Sequence, residues 1–275
     1  MMKKNNSLPF QMRVTKITGL SPMVKALCLE IIDPKKTKTF SFKSGQFIFV
    51  SVLGYGESVL TITSAVEDLP KIEVAVRSVG NNTQALHRLK VDEIVFVRGP
   101  FGNNFDLAKM AGQEVVIIAG GIGLAPLKSL IKTFEYDPIN VGKLKVLIGA
   151  KTPEDFIFKA DLAKWEGFAQ IFLTVDKADK KWTGHVGLIT KLIKEAKVSK
   201  EAIAVICGPP VMFKPVIEEL QKTGVRAENI YIMLERRMKC GIGKCQHCTC
   251  GDKYVCLDGP TFSWAELKNN REAFL

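Results

Sequence analysis

Histidine is scarce in this 275-residue chain. His87, His185 and His247 are the only three, and none stands in a triad or metal-pair context. Hydrolytic catalysis therefore has no evident machinery. Long apolar runs are missing too: clean stretches such as Val115-Val116-Ile117-Ile118-Ala119 are strand-sized, far short of the ~20 residues a membrane span requires. No apolar signal segment follows Met1-Met2-Lys3-Lys4-Asn5-Asn6, so a cytoplasmic location is expected. Internal repeats and low-complexity tracts are absent as well. With 47% hydrophobic and 24% charged residues, wholesale disorder is excluded. The length suggests about two domains and a core that folds without staples.

Acidic residues are outnumbered, 28 against 39 basic, for a formal charge of +11. The first forty residues hold eight bases (Lys3, Lys4, Arg13, Lys16, Lys25, Lys35, Lys36, Lys38) and two acids (Glu30, Asp33), or +6 of that excess. Charge alone admits nucleic-acid binding. The run Lys35-Lys36-Thr37-Lys38 has no interleaved aromatics and falls between strand-like segments, which favours a solvated turn. Docking of an acidic protein partner is the remaining reading.

Cysteines are few but clustered. Of seven, five fall in seventeen residues: Cys240, Cys245, Cys248, Cys250 and Cys256. Without an export signal, clustered thiols read as metal ligands rather than disulfides. Cys240, Cys245 and Cys248 show the C-x4-C-x2-C spacing of plant-type [2Fe–2S] ferredoxins, with Cys256 as a distal fourth. Gly241 and Gly243 let a short loop turn its amides toward the sulfides. Cys250 is the spare, and His247 reads as an exposed loop histidine rather than a donor. A structural zinc knot also takes four thiolates, but it favours paired C-x2-C units and only one is present.

Texture divides the chain. Up to about residue 100, short strands at Phe47–Leu53, Val59–Thr63, Ile72–Arg77 and Ile94–Val97 follow one another closely, as in a small antiparallel barrel. One helix interrupts them near Thr83 to Leu89, with Ala85, Leu86 and Leu89 on one face. After residue 110, strands at 115–119, 144–149, 170–175 and 203–207 alternate with helices at 125–134, 187–196 and 211–223, a parallel α/β pattern. The expected division is a β-barrel domain at 1–109, an α/β domain at 110–233 and a C-terminal cysteine segment of little regular structure at 234–275.

Three glycine-containing turns open helices. Gly120-Gly121-Ile122-Gly123 follows a strand and precedes Pro126, which suits a first helical turn. Such a turn lets backbone approach a pyrophosphate at a helix N-terminus, though it departs from G-x-G-x-x-G and also serves as a plain tight turn. Gly80-Asn81-Asn82-Thr83 offers a capped helix whose amides suit a phosphate pair, with Arg77 as counter-charge. Cys207-Gly208-Pro209-Pro210 ends a strand, at the sheet edge where open α/β folds bind ligands; a buried structural cysteine is the plain alternative. Lys151, at the end of the next strand, permits a 2′-phosphate without deciding it.

Taken in order, these segments resemble the ferredoxin–NADP⁺ reductase superfamily over nearly the whole chain after residue 10. The flavin part is carried by Ser58-Val59-Leu60-Thr61-Ile62-Thr63-Ser64, Val76-Arg77-Ser78-Val79-Gly80-Asn81-Asn82-Thr83 and Arg98-Gly99-Pro100-Phe101-Gly102. The nucleotide part is carried by Gly120–Pro126, Thr174-Val175-Asp176 and Cys207-Gly208-Pro209-Pro210-Val211-Met212. The tail from Leu234 to Pro260 resembles the group of FAD/[2Fe–2S] electron-transfer subunits. That group includes sulfhydrogenase gamma subunits, the corresponding component of anaerobic sulfite reductase and the electron-transfer subunit of dihydroorotate dehydrogenase. Where the family usually has Arg-x-Tyr-Ser/Thr, this chain has Ser58, Leu60 and Thr61, which moves the expected diphosphate contacts to Arg77 and the Asn82/Thr83 amides.

The resemblance implies FAD against Ser58, Val59, Leu60, Thr61, Val76, Arg77, Ser78, Gly80, Asn82 and Thr83, with the Thr61 hydroxyl by the flavin ring. It implies NAD(P)H as substrate on Gly120, Gly121, Gly123, Pro126, Asp176, Gly208 and Pro209, with Cys207 beside the nicotinamide, and a cluster on Cys240, Cys245, Cys248 and Cys256. A nicotinamide gives two electrons at once and an iron–sulfur cluster takes one, so a flavin between them is implied. Only 19 residues follow Cys256, with no further domain for an organic substrate. The expected role is an electron-transfer subunit serving a hydrogenase-, sulfite reductase- or dehydrogenase-type catalytic subunit or a ferredoxin. A stand-alone NAD(P)H:ferredoxin or flavin reductase and, from another class, a zinc-tailed nucleic-acid-binding protein are the alternatives.

Overall fold

The computed structural model describes residues 7–138, 141–270 and 272; Lys3, Lys4 and the rest of the N-terminal hexapeptide lie outside them. Two compact units emerge. The first comprises residues up to Phe105 together with Lys128–Leu130 and Glu235–Pro260, and the second comprises Asp106–Leu127, Ile131–Leu234 and the segment from Thr261 onward.

In the first unit, β1 (Phe10–Ser21) and β2 (Val24–Ile31) form a hairpin and α1 (Pro34–Thr39) follows. Then come β3 (Phe47–Ser51), β4 (Glu57–Thr61), β5 (Lys71–Arg77), α2 (Asn81–Arg88) and β6 (Ile94–Phe101). The strands form one antiparallel sheet in the order β4-β3-β6-β1-β2-β5. Alternating apolar residues turn inward to make its core, among them Met12, Val14, Leu27, Leu29, Ile48, Val50, Ile72, Val74 and Val97. The arrangement is barrel-like rather than a closed ladder: an isolated bridge between Ile62 and Val74 links the two edges. The lysine run expected in a turn lies instead in α1, because Asp33 accepts from the Lys35 amide as N-cap and Pro34 starts the helix. Lys35 and Lys38 stay exposed.

The second unit runs α3 (Leu107–Met110), β7 (Glu114–Gly120), α4 (Leu124–Tyr136), β8 (Lys143–Ala150), α5 (Lys159–Trp165), β9 (Gln170–Val175) and β10 (His185–Val186). It continues through α6 (Thr190–Glu195), β11 (Ile203–Cys207), α7 (Pro210–Lys222) and β12 (Ile230–Met233). The tail adds β13 (Thr249–Cys250) and β14 (Lys253–Tyr254), which pair with each other, then β15 (Thr261–Ser263) and α8 (Trp264–Leu267). The sheet order is β10-β9-β8-β7-β11-β12-β15, parallel except for the antiparallel β15. Continuous apolar strands such as Val115 to Ala119 are fully buried, as a sheet covered on both faces requires. The chain thus leaves this sheet after β12, forms the cysteine segment within the first unit, and returns as β15.

One buried ion pair secures β7 to β8. Lys145 Nζ lies 2.9 Å from Glu114 Oε2 and donates to the Lys197 carbonyl, while the Ser199 amide donates to Glu114 Oε1. Both side chains are about nine-tenths buried (8% and 12% exposed). Replacing Glu114 by Ala strands a buried ammonium, and urea unfolding should show a loss of about 3–5 kcal/mol. A loss below about 1 kcal/mol, the scale of a solvent-exposed pair, would contradict this reading.

Candidate functional site

Three sets of residues carry chemistry, and each is assembled by a different local device. In the second unit, β8 and β9 extend the sheet to one side of β7, while β11 and β12 extend it to the other. The order therefore reverses between β7 and β11, and the carboxyl ends of those strands form a crevice of the kind that holds nucleotides in open α/β sheets. Gly120 ends β7 and Cys207 ends β11, with Ala119 and Cys207 in register. Two of the sequence-expected loops therefore meet here. A Cβ on Gly123 would stand 2.4 Å from the Cys207 carbonyl oxygen, and one on Gly120 would stand 2.7 Å from Met212 Sδ and 2.9 Å from a Pro209 ring carbon. Gly121 has φ +55, and a Cβ there would meet nothing within 4 Å. Cys207 is buried, Pro126 lies in the first turn of α4, and Asp176 is exposed just past β9, its amide donating to the Ala150 carbonyl.

In the first unit, Ser58 to Thr61 lie on β4, half-buried and paired to β3, while Val76 and Arg77 end β5. Gly80 is the N-cap of α2 and Thr83 supplies the cap, its hydroxyl accepting from the Val79 and Gly80 amides. Asn82 turns inward. Its amide nitrogen donates to the Val50 carbonyl at 3.0 Å and to Ser58 Oγ at 2.9 Å, and its oxygen accepts from the Val52 amide. The Asn82 side chain therefore fixes α2 against β3 and β4, and the first-turn amides are what remain for an anion.

Sequence reasoning missed Glu235. Local desolvation pushes its carboxyl above the ordinary carboxylate range while the Arg77 charge acts in the opposite direction, although the residue as a whole is exposed. Its only sequence signal was its place just ahead of the cysteine run.

The third set is the cysteine loop. Cys240 Sγ accepts from the amides of Ile242, Lys244 and Cys245 at 3.4 Å, and Cys256 Sγ accepts from the Gly243 amide at 3.3 Å. Gly241 (φ +80) and Gly243 (φ +70) provide the left-handed turns that aim these amides at sulfur. Burial pushes the Cys240 thiol up, but its amide donors outweigh that and leave it lowered. Cys245 is lowered to about 7, chiefly by the His247 amide, and burial raises Cys256 to about 12.

Cys240 interacts with Cys245, Cys256 interacts with both Cys248 and Cys240, and the Cys256 amide donates to Cys248 Sγ. Among the described residues no three His, Cys, Asp or Glu side chains converge as they would on a single ion. Four neighbouring thiols suit a two-iron cluster, in which each iron takes two thiolates. His247 is exposed. Cys250 is wholly buried with a long 4.0 Å contact from the Arg236 guanidinium, so it takes part in packing.

Known proteins show the same three parts. The chain matches the oxidoreductase FAD-binding domain family over residues 11–105 and the oxidoreductase NAD-binding domain family over 117–218. It matches the iron–sulfur cluster binding domain of dihydroorotate dehydrogenase B over 235–268. Sulfhydrogenase 1 subunit gamma of Pyrococcus furiosus is 36% identical, the match covering 94% of this chain and 91% of that protein. A probable dihydroorotate dehydrogenase B (NAD(+)) electron transfer subunit of Methanocaldococcus jannaschii is 33% identical, with coverages of 96% and 93%. Among solved structures, the NADH-dependent reduced ferredoxin-NADP oxidoreductase shares the fold with a TM-score of 0.74 at 22% identity, covering 94% of this chain and 92% of its own. Among the described residues no helix is long and apolar enough to cross a membrane. The chain is an oxidoreductase with the ferredoxin–NADP⁺ reductase fold and belongs to the family of FAD- and iron–sulfur-binding electron-transfer subunits that includes those of sulfhydrogenases and dihydroorotate dehydrogenase B.

Proposed function

We propose that this chain carries electrons between NAD(P)H and a separate catalytic subunit, by way of FAD in the first unit and a [2Fe–2S] cluster on Cys240, Cys245, Cys248 and Cys256. The folding of the loop that brings Cys240, Cys248 and Cys256 under sulfur-directed backbone amides is the observation that carries this reading. Bound together, the flavin and cluster supply the conversion between two-electron hydride chemistry and one-electron transfer. The protein's own groups bind and orient. The first-turn amides of α2, with Arg77, would hold the flavin diphosphate, and Thr61 would present its hydroxyl to the ring. Val59, Leu60 and Val76 supply the surrounding β surface. Gly120, Gly121 and Gly123 would seat the nucleotide phosphates at the N-terminus of α4, and Cys207 with Gly208 and Pro209 would bound the nicotinamide pocket. The named relatives are subunits of a sulfhydrogenase and of dihydroorotate dehydrogenase B, which supports a hydrogenase- or dehydrogenase-type partner in a cytoplasmic complex.

Anaerobically purified protein should be yellow-brown, and Cys245→Ser should lose its iron and acid-labile sulfide while NAD(P)H still bleaches the flavin. A full iron complement in that variant would count against the ligand set. Gly123→Ala forces a methyl group into the Cys207 carbonyl, 2.4 Å away. It should weaken nicotinamide-nucleotide binding about tenfold or more by disturbing the helix-terminus site, with iron and flavin content unchanged. Unaltered titration of the flavin by NAD(P)H would remove that loop from the nucleotide site.

A further inference from the structure

The cysteine segment holds little of its own weight. Between Glu235 and Pro260 the buried side chains are Cys248, Cys250, Val255, Cys256 and Pro260, too few to fix a loop in place. Its ends are fastened instead to β6 and the turn that follows it.

At the entry, Arg98 on β6 stands opposite Phe49 on β3, its guanidinium carbon 3.6 Å from that ring's centroid. Nη1 donates to the Cys240 carbonyl at 2.7 Å and Nη2 donates to the Lys239 carbonyl. Nε and Nη2 also grip Glu57 on β4 as a two-pronged pair, each at 2.8 Å. Gly241 lies flat on the same floor, where a Cβ would approach Phe49 to 2.9 Å and Phe101 to 3.2 Å. At the exit, the Asn103 side-chain amide donates to the Asp258 carbonyl at 2.8 Å, and a Cβ on Gly102 would meet the Gly259 oxygen and a Pro260 ring carbon, each at 2.8 Å.

We propose that Arg98, oriented by Glu57, is a positioning residue that locks the iron–sulfur segment onto the flavin-binding sheet and sets the potential of the cluster through its charge. This rests on the proposed cluster assignment and extends it to residues outside the ligand set. A planar fork suits the task because its donors reach two carbonyls and a carboxylate at once, which a lysine cannot do. The Arg98 side chain is 9% exposed, so its charge acts in a poorly screened site, while the Glu57 side chain, 36% exposed, neutralises it from the solvent side.

A cluster gains negative charge on reduction, so an uncompensated guanidinium beside it favours the reduced state. Glu57→Gln, which preserves shape and removes that compensation, should raise the cluster potential in an EPR-monitored redox titration. The expected change is about tenfold in the reduced-to-oxidised ratio, or ~59 mV for a one-electron couple. Arg98→Lys, which keeps the charge but not the fork, should slow cluster reduction in stopped-flow mixing with NAD(P)H about tenfold or more, with flavin reduction unchanged. Both variants are tested as the full chain carrying its cofactors, with iron and flavin quantified. Normal iron with wild-type potential in Glu57→Gln and wild-type cluster reduction in Arg98→Lys overturns this proposal alone. Absence of iron and labile sulfide from the unmodified chain overturns the cluster assignment and this proposal with it.

Discussion

A guanidinium held away from water must direct its donors to protein, and in this chain Arg98, on β6, directs them to one neighbouring strand and a loop at once. Four hydrogen bonds run from its fork, two to the Glu57 carboxylate and two to the carbonyls of Lys239 and Cys240. The phenylalanine floor beneath it excludes solvent, which strengthens each of those bonds and makes any unmade one expensive. Removing that charge would release the start of the cysteine loop from the sheet that orients it. The sulfur-directed amides of residues 242–245 depend on the same anchoring, because left-handed glycines define a turn only when its ends are held.

The nucleotide crevice obeys a different constraint, that of backbone approach. At the switch point between β7 and β11 the two strand ends come so close that Gly123 has no room for a methyl group beside the Cys207 carbonyl. Close packing between the strand-ending loops brings their backbones together at the N-terminus of α4. Long-range pairing of parallel strands, secured by the desolvated Lys145–Glu114 pair, holds those loops in place.

The path of the chain groups these devices by function. Flavin-binding strands and cysteine loop fall in one compact unit, although about 130 residues of nucleotide-binding α/β structure separate them in sequence. The return of the chain as β15, antiparallel to β12, closes that excursion and fastens both of its ends in ordered structure.

Periodicity and turn chemistry were enough to read the two textures of the chain, the parallel strands near 115, 144, 170 and 203, and the helices that follow three of them, but not α5 (Lys159–Trp165) after β8. Those signals are local: apolar runs of strand length, a glycine turn before a helix, cysteines at ligand spacing. Gly120–Gly123 and Cys207–Pro210 each pointed separately to a nucleotide-holding loop; that they meet at one switch point was decided by strand order, which local residues do not encode. Helix α1 was hidden because its lysines look like a solvated turn until Asp33 and Pro34 are recognised as a cap and start. Arg98 entered the sequence reading only within the Arg98–Gly102 segment of the flavin resemblance; its partners could not be read there, since Glu57 is 41 residues away and Cys240 is 142 away. Likewise the inward turn of Asn82 and the burial of Cys250 depend on neighbours supplied by other strands. Spacing along the chain named the ligand types, whereas the charge beside them was set by tertiary contacts, because electrostatic pairing follows distance in space and not distance in sequence.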